Sequence, residues 1–112
     1  MIYREVYLQM QCGLTKERFE EVNKPGNIKD FIQKASNEIG CSEAFVNEVL
    51  PFTFQVLTST QKTVFKLFYY EEQPIYKIRY KIGYYSLTDV ERRLKAAEKK
   101  LIKEIKLIYK EG

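Results

Sequence analysis

Histidine and tryptophan are absent from this 112-residue chain, and cysteine occurs twice, proline three times and glycine five times. Without histidine there is no imidazole for acid–base catalysis near neutral pH, no Ser-His-Asp or Cys-His triad and no histidine-containing metal site. Two cysteines cannot complete a zinc site unaided. Cys12 and Cys41 lie outside any CxxC and are expected as reduced thiols, with a Cys12–Cys41 disulfide as the alternative. Long hydrophobic runs are also missing. Nothing approaches the ~18 apolar residues of a membrane span, and Met1-Ile2-Tyr3-Arg4-Glu5 places charge where a secretory signal needs an apolar core. The expectation is a cytoplasmic, soluble protein with neither metal nor cofactor. No nucleophile elbow, P-loop, GxGxxG or HExxH motif is present, which favours a non-enzymatic reading.

What is present is an ordinary globular composition, 45% hydrophobic and 30% charged, in a length suited to one domain over residues 1–112. Residues 2–12 alternate, with Val6, Leu8, Met10 and Cys12 on one side, which predicts a half-buried strand. Thr15 can cap a short helix ending near Val22, before the breaker cluster Lys24-Pro25-Gly26. Asn27 offers the next cap, and Ile28, Phe31, Ile32, Ala35 and Ile39 recur at helical spacing until Gly40 supplies a stop. Ser42 caps a further helix that Pro51 is expected to end.

From Phe52 the apolar period reads as 2, predicting three strands. Taking Glu71-Glu72-Gln73-Pro74 as a turn opposes Tyr69 to Tyr76, Leu67 to Ile78 and Phe65 to Tyr80. The polar stretch Ser59-Thr60-Gln61-Lys62, taken as a second turn, sets Val56 against Phe65 and Phe54 against Leu67, so both hairpins give the same core face. A final helix begins near Ser86, capped by Ser86 or by Thr88, and runs to about Lys110. Its apolar stripe is Leu87, Val90, Leu94, Ala97, Leu101, Ile105 and Ile108. The predicted fold is α+β, in the order β-α-α-β-β-β-α, with a mainly antiparallel four-stranded sheet, helices packed on one face and a long C-terminal helix. That helix would span about 35 Å against roughly 28 Å for the strands. Its overhanging end, with Ile102, Ile105, Ile108 and Tyr109, is the expected homodimer interface.

The net charge of +4 is unevenly divided: residues 1–50 hold six Lys/Arg and eight Asp/Glu, whereas residues 51–112 hold thirteen and seven. On a helical wheel Arg92, Lys95, Lys99, Lys103, Lys106 and Lys110 fall within about 80° of one another, opposite the apolar stripe and with no acid among them. A face solvated only for solubility usually mixes signs. The second basic surface is the outer sheet face, where Lys66, Lys77, Arg79 and Lys81 interleave with Phe68 and Tyr70. Cations beside exposed rings suit single-stranded nucleic acid, although lysines also protect sheet edges and the rings could meet a protein instead.

The element order, with its three-strand meander and basic strand, is similar to that of RelE-like messenger-cleaving toxins and of ribosome-hibernation factors. From residue 42 onward it is also similar to double-stranded-RNA-binding domains, except that Thr88-Asp89-Val90-Glu91 stands where those domains carry a basic cluster. The resemblance implies an architecture that faces RNA. The favoured reading is a small basic protein that binds nucleic acid, RNA rather than DNA, or a ribonucleoprotein surface, through the last helix and the sheet face. The alternatives are a protein-interaction or inhibitor module, from a virus or mobile element, docking through the aromatic sheet face, and an RNA-cleaving toxin.

Overall fold

The computed structural model describes residues 16–83 and 86–111. The strand expected over 2–12, the Thr15 cap, Tyr84, Tyr85 and Cys12 lie outside the described residues. Three early helices form where capping chemistry and apolar spacing agree. Helix α1 is Lys16–Asn23, α2 is Ile28–Ile39 and α3 is Glu43–Thr53. The Asn27 side chain accepts the Lys29 N–H at 2.8 Å. Gly40 closes α2 at φ 82°, its N–H donating to the Ser36 carbonyl, in the left-handed conformation that glycine adopts without a Cβ penalty. Ser42 caps α3 by accepting the Phe45 N–H at 3.1 Å. Pro51 lies inside α3 rather than ending it, and the chain tightens into a 3₁₀ turn over Phe54–Val56 directly after Thr53.

The α+β expectation is overturned beyond this point. Residues 52–82 form no strand; instead α4 is Ser59–Tyr69 and α5 is Ile75–Lys81, and every regular element among the described residues is helical. The run from Val64 to Tyr70 is nearly all apolar, so it satisfies a period of 2 and a period of 3.6 equally, and its β-branched and aromatic content tips a local reading toward strand. What decides it lies one turn upstream. Thr58 Oγ1 accepts the Gln61 N–H at 3.2 Å while Gln61 Oε1 accepts the Thr58 N–H at 3.0 Å. This reciprocal box satisfies two otherwise orphaned donors and starts a helix inside the stretch read as a hairpin loop. In α5, Ile75 and its neighbour Tyr76 are both buried, as is Ile78, a pattern that strict alternation forbids. The agreement between the two hairpins was therefore one alternating run counted twice. The likeness in element order to RelE-like toxins, hibernation factors and double-stranded-RNA-binding domains falls with the meander.

Glu71 to Pro74 is a true connection, but it joins two helices. Glu72 adopts φ 53°, which turns the chain sharply enough for the Gln73 N–H to reach the Leu67 carbonyl at 2.9 Å. Pro74 then opens α5, its carbonyl accepting from Lys77 and Ile78.

Helix α6, Leu87–Glu111, is the longest element, about 37 Å at 1.5 Å per residue. Ser86 Oγ accepts the Asp89 N–H at 3.1 Å, which settles the cap in favour of Ser86 over Thr88. Leu87, Val90, Leu94, Ala97, Leu101 and Ile105 are buried as the spacing predicts, and Ile108 is half-buried. Helices α2, α3, α4 and α5 all pack on α6. Across from the stripe sits an aromatic cluster: Phe31 and Phe65 meet edge to face at 4.9 Å, and Tyr69 lies 4.7 Å from Phe65. With no sheet, the comparison of lengths that left an overhang has no basis. Ile105 belongs to the core, Ile102 packs against it, and Tyr109 meets Phe45 edge to face at 5.3 Å with its hydroxyl donating to the Gly40 carbonyl at 3.5 Å. The α2–α3 corner thus meets one side of the end assigned to a dimer mate, while Leu107 and Tyr109 stay exposed. No helix among the described residues is long and apolar enough to cross a membrane.

Thr58→Ala should lower stability by about 1 kcal/mol in urea titration, the usual effect of losing a helix cap; no change would show that the box does not hold α4. Gly26 is buried against the Phe68 ring, which a Cβ there would overlap, so Gly26→Ala should cost about 1–3 kcal/mol as an overpacked site.

Candidate nucleic-acid interface

The surface read as a sheet face does not exist as a unit. On a strand, residues 66, 68 and 70 share a side; on a helix, successive residues turn by about 100°, so positions two apart diverge and positions four apart coincide. Lys66 and Tyr70 accordingly converge on Phe54, the Lys66 Nζ 5.3 Å from its ring centre and Tyr70 6.2 Å away. Partial burial raises the Tyr70 pKa. Phe68 points elsewhere, half-buried against Tyr69 and Gly26. On α5, Lys77 and Lys81 are exposed, while Arg79 lies over the rings of Tyr76 and Tyr80 at 5.0 and 4.7 Å and donates to the Tyr80 hydroxyl at 2.7 Å. Four cations and two rings expected together are split between two helices and at least three directions.

The other predicted surface is a continuous feature. Arg92, Lys95, Lys99, Lys103, Lys106 and Lys110 are all exposed along α6. Three nearby acids are occupied. Arg18 of α1 grips Glu91 with both guanidinium nitrogens, one hydrogen bond being 2.7 Å long, and Lys34 of α2 holds Glu98 at 3.0 Å. Asp89 sits 3.6 Å from Arg92. Among the described residues no carboxylate pairs with Lys95, Lys99, Lys103, Lys106 or Lys110. Between α2 and α6 runs a groove of about 450 Å³ whose charged walls are Lys34, Lys95, Lys99, Lys103 and Lys106 against Glu38 and Glu98. Five cations against two acids give it a net positive field.

Lys34, Arg18 and Glu98 are the residues the sequence reading missed. Glu98 lies four residues after Leu94 and three before Leu101, so the helical spacing itself carries it to the margin of the buried stripe, and its side chain is only 9% exposed. An acid at such a position needs a partner from a neighbouring helix. Lys34, three residues after buried Phe31, is the matching cation on α2.

A second cleft, about 340 Å³, adjoins the groove and shares Lys34, Lys95 and Glu98 with it. Its apolar walls include Pro25, Phe68, Ile75 and Leu94, and Tyr69 lines it beside Glu98. Burial raises the Tyr69 pKa well above its ordinary value of 10.0, with the Glu98 charge and hydrogen bond and then Asp30 adding to the shift. Tyr69 is thus a neutral hydrogen-bond donor there. Among the described residues no group of His, Cys, Asp or Glu side chains is placed to hold a metal ion, and Cys41 is a half-buried free thiol. No protein-family model, curated protein or solved structure matches the chain.

Because the folded state holds the Tyr69 proton more tightly than the unfolded chain, its contribution is intact below pH ~10 and is lost as pH climbs through the raised folded value. The thermal midpoint should fall above pH ~10, and Tyr69→Phe should fall less steeply over the same window. Equal slopes would show that Tyr69 is not the group responsible.

Proposed function

We propose that the chain binds nucleic acid through the basic ridge of α6 and the groove beside it. The supporting observation is the set of five lysines at spacings of three and four residues that form no ion pair with a carboxylate among the described residues, with the nearby acids Glu91 and Glu98 held by cations from α1 and α2. From Arg92 to Lys110 the ridge extends about 27 Å. Double-stranded DNA carries a charge for about every 1.7 Å of its axis. A row of cations on that scale contacts several phosphates at once. Lysines of this kind read the backbone as point charges and carry no base information, so the affinity is electrostatic and salt-dependent.

Binding of a labelled oligonucleotide should be measurable in ~50 mM salt and weaken steeply by ~200 mM. The triple variant Lys95→Gln/Lys99→Gln/Lys103→Gln, all exposed positions, should keep the helical circular dichroism of the parent. It should lower the slope of log affinity against log salt by about 2 to 3. Absence of binding at the low salt would overturn the reading, as would binding to which these lysines are indifferent.

A further inference from the structure

Resting on that reading, we infer that the nucleic acid taken by the ridge is single-stranded, and that one of its bases enters the cleft walled by Phe68 and Leu94. The groove beside the α6 ridge adjoins this cleft, with Lys34, Lys95 and Glu98 lining both and the Lys34–Glu98 ion pair standing where they meet. A strand lying along Lys99 and Lys95 therefore reaches, at the Lys95 end, an apolar recess opened by an aromatic ring.

The recess has the chemistry of a base rather than of a phosphate. Its apolar walls are the Phe68 ring, Pro25, Ile75 and Leu94, and its rim carries the carboxylates of Glu21, Asp30, Glu91 and Glu98, acceptors that suit the amino groups of a base and disfavour a phosphate, with the Tyr69 hydroxyl hydrogen-bonded to Glu98. A base has a π-face for the ring and both donors and acceptors on its edge, and its phosphates remain outside on the lysines. The volume, about 340 Å³, lies at the small end of ligand sites and suits one ring system. Gly26 fixes the wall: the Phe68 ring occupies the space a Cβ would take, so the ring is braced against the 24–27 connection. A duplex offers its phosphates to the ridge but keeps its bases stacked and paired. It cannot fill the recess.

Fluorescence anisotropy with an oligonucleotide of about 12 nucleotides, within the usual site size of such binders, separates the possibilities. The same sequence is titrated as a single strand, as a duplex and as an abasic sugar-phosphate oligomer. The single strand should bind roughly 5- to 100-fold more tightly than the abasic oligomer, the range expected for one stacked base. Phe68→Leu, which keeps an apolar side chain in the wall, should erase that advantage while leaving the salt slope unchanged. Lys95→Gln/Lys99→Gln should instead reduce the slope for all three. If the abasic oligomer or the duplex binds as tightly as the single strand, the base-seating inference is wrong while the phosphate track stands. If none of the three binds in low salt, the underlying reading has failed. Because the abasic comparison uses the unaltered protein, a Phe68→Leu variant that does not fold leaves the decision intact.

Discussion

Burial of the apolar stripe of α6 is the constraint on which the rest of the described structure depends. Leu94, Ala97, Leu101 and Ile105 sit at 5% exposure or less, and four other helices lay their own apolar faces on this one. A fully buried side chain of leucine size contributes about 1.5–3 kcal/mol by leaving water, whereas an exposed ion pair contributes about 0–1. The stripe and the aromatic cluster of Phe31, Phe65 and Tyr69 therefore hold the bundle, and the ion pairs on its margin tune orientation. A helix so heavily used on one side has only its opposite side for solvent, and there the cations lie.

Two acids on one flank of that outer side, Glu91 and Glu98, are seven residues and so about two turns apart. Each is met by a cation from a different helix, Arg18 and Lys34. The arrangement does two things at once. It locates α1 and α2 along α6, and it removes negative charge from the edge of the basic ridge. Glu98, the more buried, also raises the Tyr69 pKa beyond the effect of burial alone, so packing and electrostatics are joined at one side chain.

The parts of the fold legible in sequence were those where caps and periodicity coincide. Asn27 and Gly40 delimit α2, Ser42 begins α3, and the spacing of α6 gave both its buried stripe and its cationic ridge correctly. The middle was misread because the apolar residues around Phe65 are too dense for period to discriminate, so the deciding information reduces to Thr58 and Gln61, three residues apart and easily taken as loop. That error spread to function: alternation placed Lys66, Phe68 and Tyr70 on one face, and helical geometry sends Phe68 away from the other two. Phe68 then reappears in a cleft with Tyr69, a neighbour that a strand would have put on the opposite side. Lys34 and Arg18 were invisible because their partners are far away in the chain, and only the spacing of Glu98 from Leu94 and Leu101 hinted that a partner was required.

The ends of α6 are both tied down. Arg18 grips Glu91 near the first turns, and at the far end Tyr109 rests on Phe45 and reaches the Gly40 carbonyl. A helix anchored at both ends cannot bend freely to follow a partner. The points from which its cations spring form a ruler of fixed pitch, one mark for roughly every 5 Å of axis. Any polyanion that lies along it must adjust its own backbone to those marks. Under the proposed function, the entropy lost on association would fall on the flexible polymer and on the lysine side chains, while the protein backbone would contribute little.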